Sequence, residues 1–226
     1  MHRYRHVIIL LCFLTLGADA AFDDSTVAGL IAHGQALAEQ SNHSAALDKY
    51  NAALARDAAS ADAHAWKAAS LIALKQLDQA DTEIQKALKA NSEEFTYQMI
   101  AGRLQIARGN IDDGSALYDK AAKLSPRNAG KVYADLAAAL AARNDEKLNP
   151  RIEATLKSAA SADPPHLDAL FNLGQSYVSA GKPEGRDYLK RYLDGQGKLP
   201  EDQRDRQKMQ LARKMIRAID ILNGIK

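Results

Sequence analysis

Small and apolar residues along this chain fall at helical spacing, and the same stripe returns at a fixed interval. In SAALDKYNAALARD, residues 44–57, Ala46, Tyr50, Ala53 and Leu54 stand at i, i+4, i+7 and i+8, one face of an α-helix. The stripe recurs 34 residues later as Ala80, Ile84, Ala87 and Leu88, and after a further 34 as Gly114, Tyr118, Ala121 and Ala122. A second helical stretch precedes each stripe; Thr96 to Arg108 is one, closed by Gly109-Asn110. Ser44 and Asp112 are suited to cap the stripe-bearing helices. The pattern predicts antiparallel helix pairs. No single helix is apolar enough to stand alone, so the pairs must stack to share their faces.

Two helices joined by a short turn approach closely only where one presents Ala or Gly to the other. Gly34, Ala68, Gly102 and Gly174 supply that on the first helices; Ala46, Ala80 and Gly114 supply it on the second. Tyr50, Ile84 and Tyr118 fill the gap towards the next pair, and Pro126 and Pro164 stop second helices. This small–aromatic–small–proline phrase resembles the tetratricopeptide repeat (TPR) family. GNIDDGSALYDKAAKLSP, residues 109–126, carries it clearly. So does ALFNLGQSYVSAG, residues 169–181, where Leu170, Leu173, Gly174, Tyr177 and Gly181 match. The resemblance covers roughly residues 27–194. It implies an all-α, right-handed α-solenoid of about five TPR helix-turn-helix units with a C-terminal capping helix.

Some stretches depart from the repeat. The fourth unit fits with Tyr133, Leu136, Ala137 and Leu140, but its turn carries extra residues around Asp145 to Pro150. The fifth unit's second helix, around Asp187 to Leu193, lacks the usual alanines and reads as degenerate. Gly195-Gln196-Gly197 reads as a flexible link. Residues 201–223 then form a last helix striped by Ala212, Met215, Ile216, Ile219 and Leu222, which is expected to cap the solenoid. The expected division is a signal peptide at 1–20, the TPR solenoid at 21–194, and the link with its capping helix at 195–226.

The N-terminus has a different grammar. His2, Arg3, Arg5 and His6 precede a short apolar run, Val7 to Leu16, and Ala18-Asp19-Ala20 has the form of a cleavage site. A spanning helix needs roughly 20 apolar residues, so no stable membrane anchor is expected. Cys12, the single cysteine, lies inside that run. The mature chain would hold no disulfide, no thiolate metal site and no thiol nucleophile. A periplasmic or secreted protein is expected.

The net charge of +2 gives no general attraction to nucleic acid. Basic groups do outnumber acidic ones over residues 182–226, and acidic groups prevail over residues 21–181. His33, His43, His64 and His166 show no metal-ligand spacing, so neither metal nor cofactor is implied. Asp23-Asp24, Glu93-Glu94 and Asp112-Asp113 sit where acids favour a helix dipole. No P-loop or Gly-x-Ser-x-Gly turn occurs, and no enzymatic activity is expected.

Surface recognition remains. The TPR resemblance implies that first helices line a concave wall where ligands lie. Trp66 lies about 160° round its helix from Ala68, at ~100° per residue, away from the packed stripe. By the same geometry Gln35, Met99, Arg103, Phe171, Asn172 and Gln175 face the groove. Trp66 has a second placement, wedged between repeats, because it stands two residues later than the family's aromatic position. The family's carboxylate-gripping mode uses Lys and Asn, whereas here the comparable places hold Ile31, Gln35, Ala65, Ala69 and Met99, with only Arg103 basic. The groove suits a helix or an extended segment.

The favoured function is a non-catalytic scaffold or adaptor in the bacterial cell envelope, binding a protein or peptide partner. The alternative is a periplasmic peptide- or solute-binding component. A weak contact of the basic C-terminal helix with anionic lipid ranks last. Export gives the first test: the mature chain should begin at Ala21 in the soluble envelope fraction, and intact-mass measurement of exported protein still carrying residues 1–20 would overturn the signal reading.

Overall fold

The computed structural model describes residues 22–222. The expected signal segment, its cleavage site and Cys12 lie outside them. Among the described residues there are eleven α-helices, short 3-10 turns and no strand. The chain divides into two compact units at Arg108–Gly109. The first holds α1 (Val27–Glu39), α2 (His43–Arg56), α3 (Ala61–Ala73), α4 (Leu77–Ala90) and α5 (Phe95–Arg108). The second holds α6 (Ile111–Leu124), α7 (Ala129–Ala141), α8 (Asn149–Ser161), α9 (Leu167–Ser179), α10 (Gly185–Gly197) and α11 (Arg206–Leu222). Among the described residues no helix is long and apolar enough to cross a membrane.

Several helix starts have a side-chain cap. Thr26 Oγ1 accepts from Gly29 N at 2.9 Å, and Asn42 Oδ1 accepts from Ala45 N at 3.3 Å. Ser60 Oγ caps α3 through Ala63 N at 3.4 Å. The caps differ from those expected: Asn42, not Ser44, caps α2, and Asp112 lies inside the first turn of α6, paired with Arg151 at 2.6 Å.

The turns repeat as regularly as the helices. Ser41, Lys75, Gly109, Asn144 and Gly181 all take positive φ, each in the turn after α1, α3, α5, α7 or α9. After α1, Asn42 N donates to Leu37 O and Ser41 N to Ala38 O, both at 2.9 Å. Lys75 and Gln76 close α3 in the same way, as do Gly181 and Lys182 on α9. These paired bonds satisfy the last carbonyls of the helix while turning the chain back on itself. Serine and lysine carry a steric cost there that glycine does not.

The predicted stripes are the core. Ala46, Tyr50, Ala53, Ala80, Ile84, Ala87, Tyr118 and Ala121 are completely buried. Small residues stand opposite large ones. A Cβ on Gly34 would lie 2.5 Å from Tyr50 Cε1, and one on Gly174 would lie 2.6 Å from Leu189 Cγ. The last pairing corrects the reading of the fifth unit. α10 is fully formed, with Gly185, Leu189, Tyr192 and Leu193 at i, i+4, i+7 and i+8. Its stripe begins at Gly185 instead of an alanine, so a search for alanines missed it.

Gly195-Gln196-Gly197 is not a loose link either. It forms the last turn of α10, where Gln196 is buried and its Oε1 accepts from Asp205 N at 2.9 Å. α11 starts at Arg206, after a 3-10 turn at Glu201–Gln203. Ala212, Met215 and Ile216 pack with Met209 against a cluster that includes Leu170, Phe171, Leu189 and Tyr192. Arg186 Nε donates to Asp220 Oδ1 at 2.5 Å and Lys208 Nζ to Asp168 Oδ1 at 2.7 Å, fixing the helix over α9 and α10.

Two substitutions separate these constraints. Gly34→Ala should lower stability by about 1–3 kcal/mol, since the enclosed Tyr50 ring cannot move aside. Lys75→Gly should raise it, by up to about 1 kcal/mol, by relieving the left-handed turn. Urea unfolding followed by circular dichroism reads both; a neutral Gly34→Ala would refute the close approach.

Candidate partner-binding groove

In the first unit a trough of about 510 Å³ runs over the first helices of successive pairs. From α1 it takes Val27, Ile31 and Gln35, spaced one turn apart, with Ala28 and Ala32 beside them. Asp62 and Trp66 border it from α3, also one turn apart, and Thr96 closes it from α5. Trp66 is half-buried. It borders the trough with part of its surface.

The opposite side of α3 fixes that presentation. His64 is buried, with Nδ1 2.5 Å from Glu83 Oε2 and Nε2 3.1 Å from Ala58 O. Lys67 Nζ lies 3.1 Å from Glu83 Oε1, and Lys86 Nζ 3.3 Å from Oε2. Burial pushes the Glu83 carboxyl up, but hydrogen bonds from Lys67 and His64 outweigh it and hold the carboxyl below its ordinary value. His64 and Lys67 are thus committed to α4, which turns Asp62 and Trp66 to the other side of α3. Tyr97 of α5 adds a second tie, its hydroxyl donating to Asp62 Oδ1 at 2.6 Å. Burial first, then the hydrogen bond and charge of Asp62 and the charge of Glu94, raise the Tyr97 hydroxyl well above its ordinary range.

The segment before α1 is also fastened. Asp24 Oδ1 lies 3.0 Å from His33 Nδ1, its Oδ2 accepts from Lys49 Nζ at 2.6 Å, and its backbone oxygen accepts from Arg56 at 2.5 Å. Phe22 stacks on the His33 ring with centroids 4.9 Å apart. Asp24 therefore does more than favour a helix dipole; it ties the segment to α1 and α2.

The other candidate residues divide. Gln35 borders the trough with Trp66. Met99 is buried at 7% exposure, a correction to its expected place on the groove. The cause is that α5 packs on both α3 and α4, so a helix read as having one buried face has two. Arg103 is half-buried on α5. In the second unit, Asn172 borders a separate pocket of about 260 Å³ with His166, Asp168 and Leu156. Gln175 is exposed. Phe171 is buried at 5% exposure, tilted against Tyr192 at 5.2 Å, a second correction. α10 and α11 cover the side of α9 that bears it, with Lys208 Nζ 5.8 Å from its ring. Asp62 was missed; its only sequence signal was standing four residues before Trp66. Among the described residues no group of His, Cys, Asp or Glu is arranged to hold a metal ion.

Residues 67–129 match the family model for the tetratricopeptide repeat. The chain is also 32% identical over 140 residues to the TPR repeat-containing thioredoxin TTL4 of Arabidopsis thaliana, a match covering 60% of this chain and 19% of that protein. Over 91 residues it is 32% identical to BBSome complex member BBS4 of Bos taurus, covering 38% of this chain and 16% of the relative. The matches thus span less than a fifth of those relatives' lengths. A thermophilic TPR protein of Thermus thermophilus superposes with a TM-score of 0.58 at 16% identity, covering 84% of this chain and 99% of the other. The fold is the TPR fold.

The Glu83 cluster gives a pH-dependent test. Its folded carboxyl titrates below the ordinary value of 4.5. The stabilisation is therefore complete above that value and is lost as pH falls through the folded one. Glu83→Gln should lower stability by about 1–3 kcal/mol at pH 7 and flatten the loss on acidification. Urea midpoints from pH 7 to pH 3 read this, and parallel curves for the two proteins would refute it.

Proposed function

We propose that this chain is a non-catalytic scaffold or adaptor of the bacterial cell envelope that binds a segment of a protein partner along the trough of its first unit. The supporting observation is that trough itself. Val27 and Ile31 give an apolar wall, Gln35 and Thr96 give hydrogen-bonding groups, and Trp66 presents a large ring whose helix is fixed from behind. Aromatic anchors on a rigid support dominate binding energy at protein interfaces. TPR proteins act as interaction scaffolds, and one relative is by name a member of a complex. The envelope location rests on the basic start, apolar run and Ala18-Asp19-Ala20 of the N-terminus. The trough's open form favours a chain segment over an enclosed small solute.

The test joins capture to stability. A photo-crosslinking residue at position 35 should trap one recurrent envelope protein in cells, identified by mass spectrometry. Trp66→Ala should weaken the purified pair about thirtyfold. Its thermal midpoint should stay close to that of the parent. A loss of stability comparable to emptying a core site, about 3–5 kcal/mol, with undiminished capture by the folded fraction, would remove Trp66 from the interface.

A further inference from the structure

Resting on the groove reading above, we infer that the first unit's trough selects a partner segment bearing a lysine or arginine side chain, held by Asp62 through its charge and by Trp66 through its ring face. Asp62 is the one ionised side chain among the residues bordering the trough, and no basic residue borders it. Its Oδ1 accepts from the Tyr97 hydroxyl, a neutral donor that orients the carboxylate without cancelling its charge. Its Oδ2 takes no hydrogen bond among the described residues. Glu94 Oε1 accepts from the backbone N–H of Thr96 at 3.3 Å, which sets a second carboxylate next to a residue that borders the trough.

Three lysines of the first unit are paired with other carboxylates. Lys67 and Lys86 hold Glu83 on the far side of α3, and Lys49 pairs with Asp24. An incoming basic side chain therefore meets an unmatched carboxylate. Trp66 stands one helical turn further along α3, and a cation within about 6 Å of an indole centroid is attracted by the ring's quadrupole. Val27 and Ile31 on the facing wall suit the methylene stem of such a side chain, which buries its carbons while its charged end finds the carboxylate. A partner ending in a free carboxylate would be repelled at the same place.

Trp66 is the only tryptophan of the chain, so its fluorescence reports occupancy of this trough directly. The full chain is panned against phage-displayed random octapeptides, alongside Asp62→Asn, Asp62→Lys and Trp66→Ala variants. Selected sequences should be enriched in lysine or arginine over the unselected library, and synthetic copies should shift the Trp66 emission. Asp62→Asn, which keeps an oxygen for Tyr97, should weaken them about three- to tenfold, and added salt should weaken them too. Asp62→Lys should weaken them further. Circular dichroism checks each variant, and Trp66→Phe replaces Trp66→Ala if the latter unfolds. Peptides selected in a Trp66-dependent way without basic enrichment, and bound equally by Asp62→Asn, would overturn the cation inference and leave the groove reading standing. Selection of no peptide whose binding depends on Trp66 would overturn both.

Discussion

Close approach between the two helices of each pair is the constraint on which the rest of this molecule depends. Gly34 leaves room for the ring of Tyr50, and Gly174 leaves room for Leu189. Where a Cβ would stand within about 2.6 Å of a completely buried side chain, no rotamer adjustment relieves the clash. The large residue seated in that space then fills the interior, which is why Tyr50, Ile84, Tyr118 and Leu189 are all fully enclosed. Left-handed turns at Ser41 and Lys75 bring the paired helices back onto each other. Gly109 and Gly181 keep glycine, and Ser41 and Lys75 tolerate the strain because paired hydrogen bonds over-determine their turns.

Close packing fixes the spacing of the first helices but not which residues they show. In the first unit that choice falls to a polar cluster. Glu83 draws His64 and Lys67 of α3 towards α4, at the cost of burying a carboxylate that three donors compensate. Because the helical period places Asp62 and Trp66 on the other side, the same ties that anchor α3 also turn these two residues to the trough. Tyr97 carries the fixation on to α5. The binding surface proposed here would lose little side-chain freedom on meeting a partner.

The C-terminal helix solves a different problem. A stack of helix pairs leaves its last apolar face open, and α11 covers that face with Ala212, Met209, Met215 and Ile216. Gly195 permits the approach of Leu167, since a Cβ there would lie 2.2 Å from Leu167 Cδ2. Arg186–Asp220 and Lys208–Asp168 then set the orientation of α11 from both ends. Two basic groups of this stretch, Arg186 and Lys208, are thus used in docking α11.

How much of this was legible in the chain follows from the range of each interaction. The helices, their pairing and the buried stripes are set by neighbours three, four and seven residues apart, so the pattern around Ala46, Ala80 and Gly114 declared them. The capping stripe of α11 was legible for the same reason. Trp66 and Gln35 border the trough from positions that the packed stripes of α3 and α1 leave aside. Met99 and Phe171 were misplaced because helices distant in sequence cover a second face of α5 and of α9. Asp62 acquired its meaning only when Tyr97, 35 residues away, met it, and Gln196 became buried only when Asp205 folded back. Local periodicity determined the elements and their core. Which remaining faces stay open was decided by the tertiary contacts that close the others.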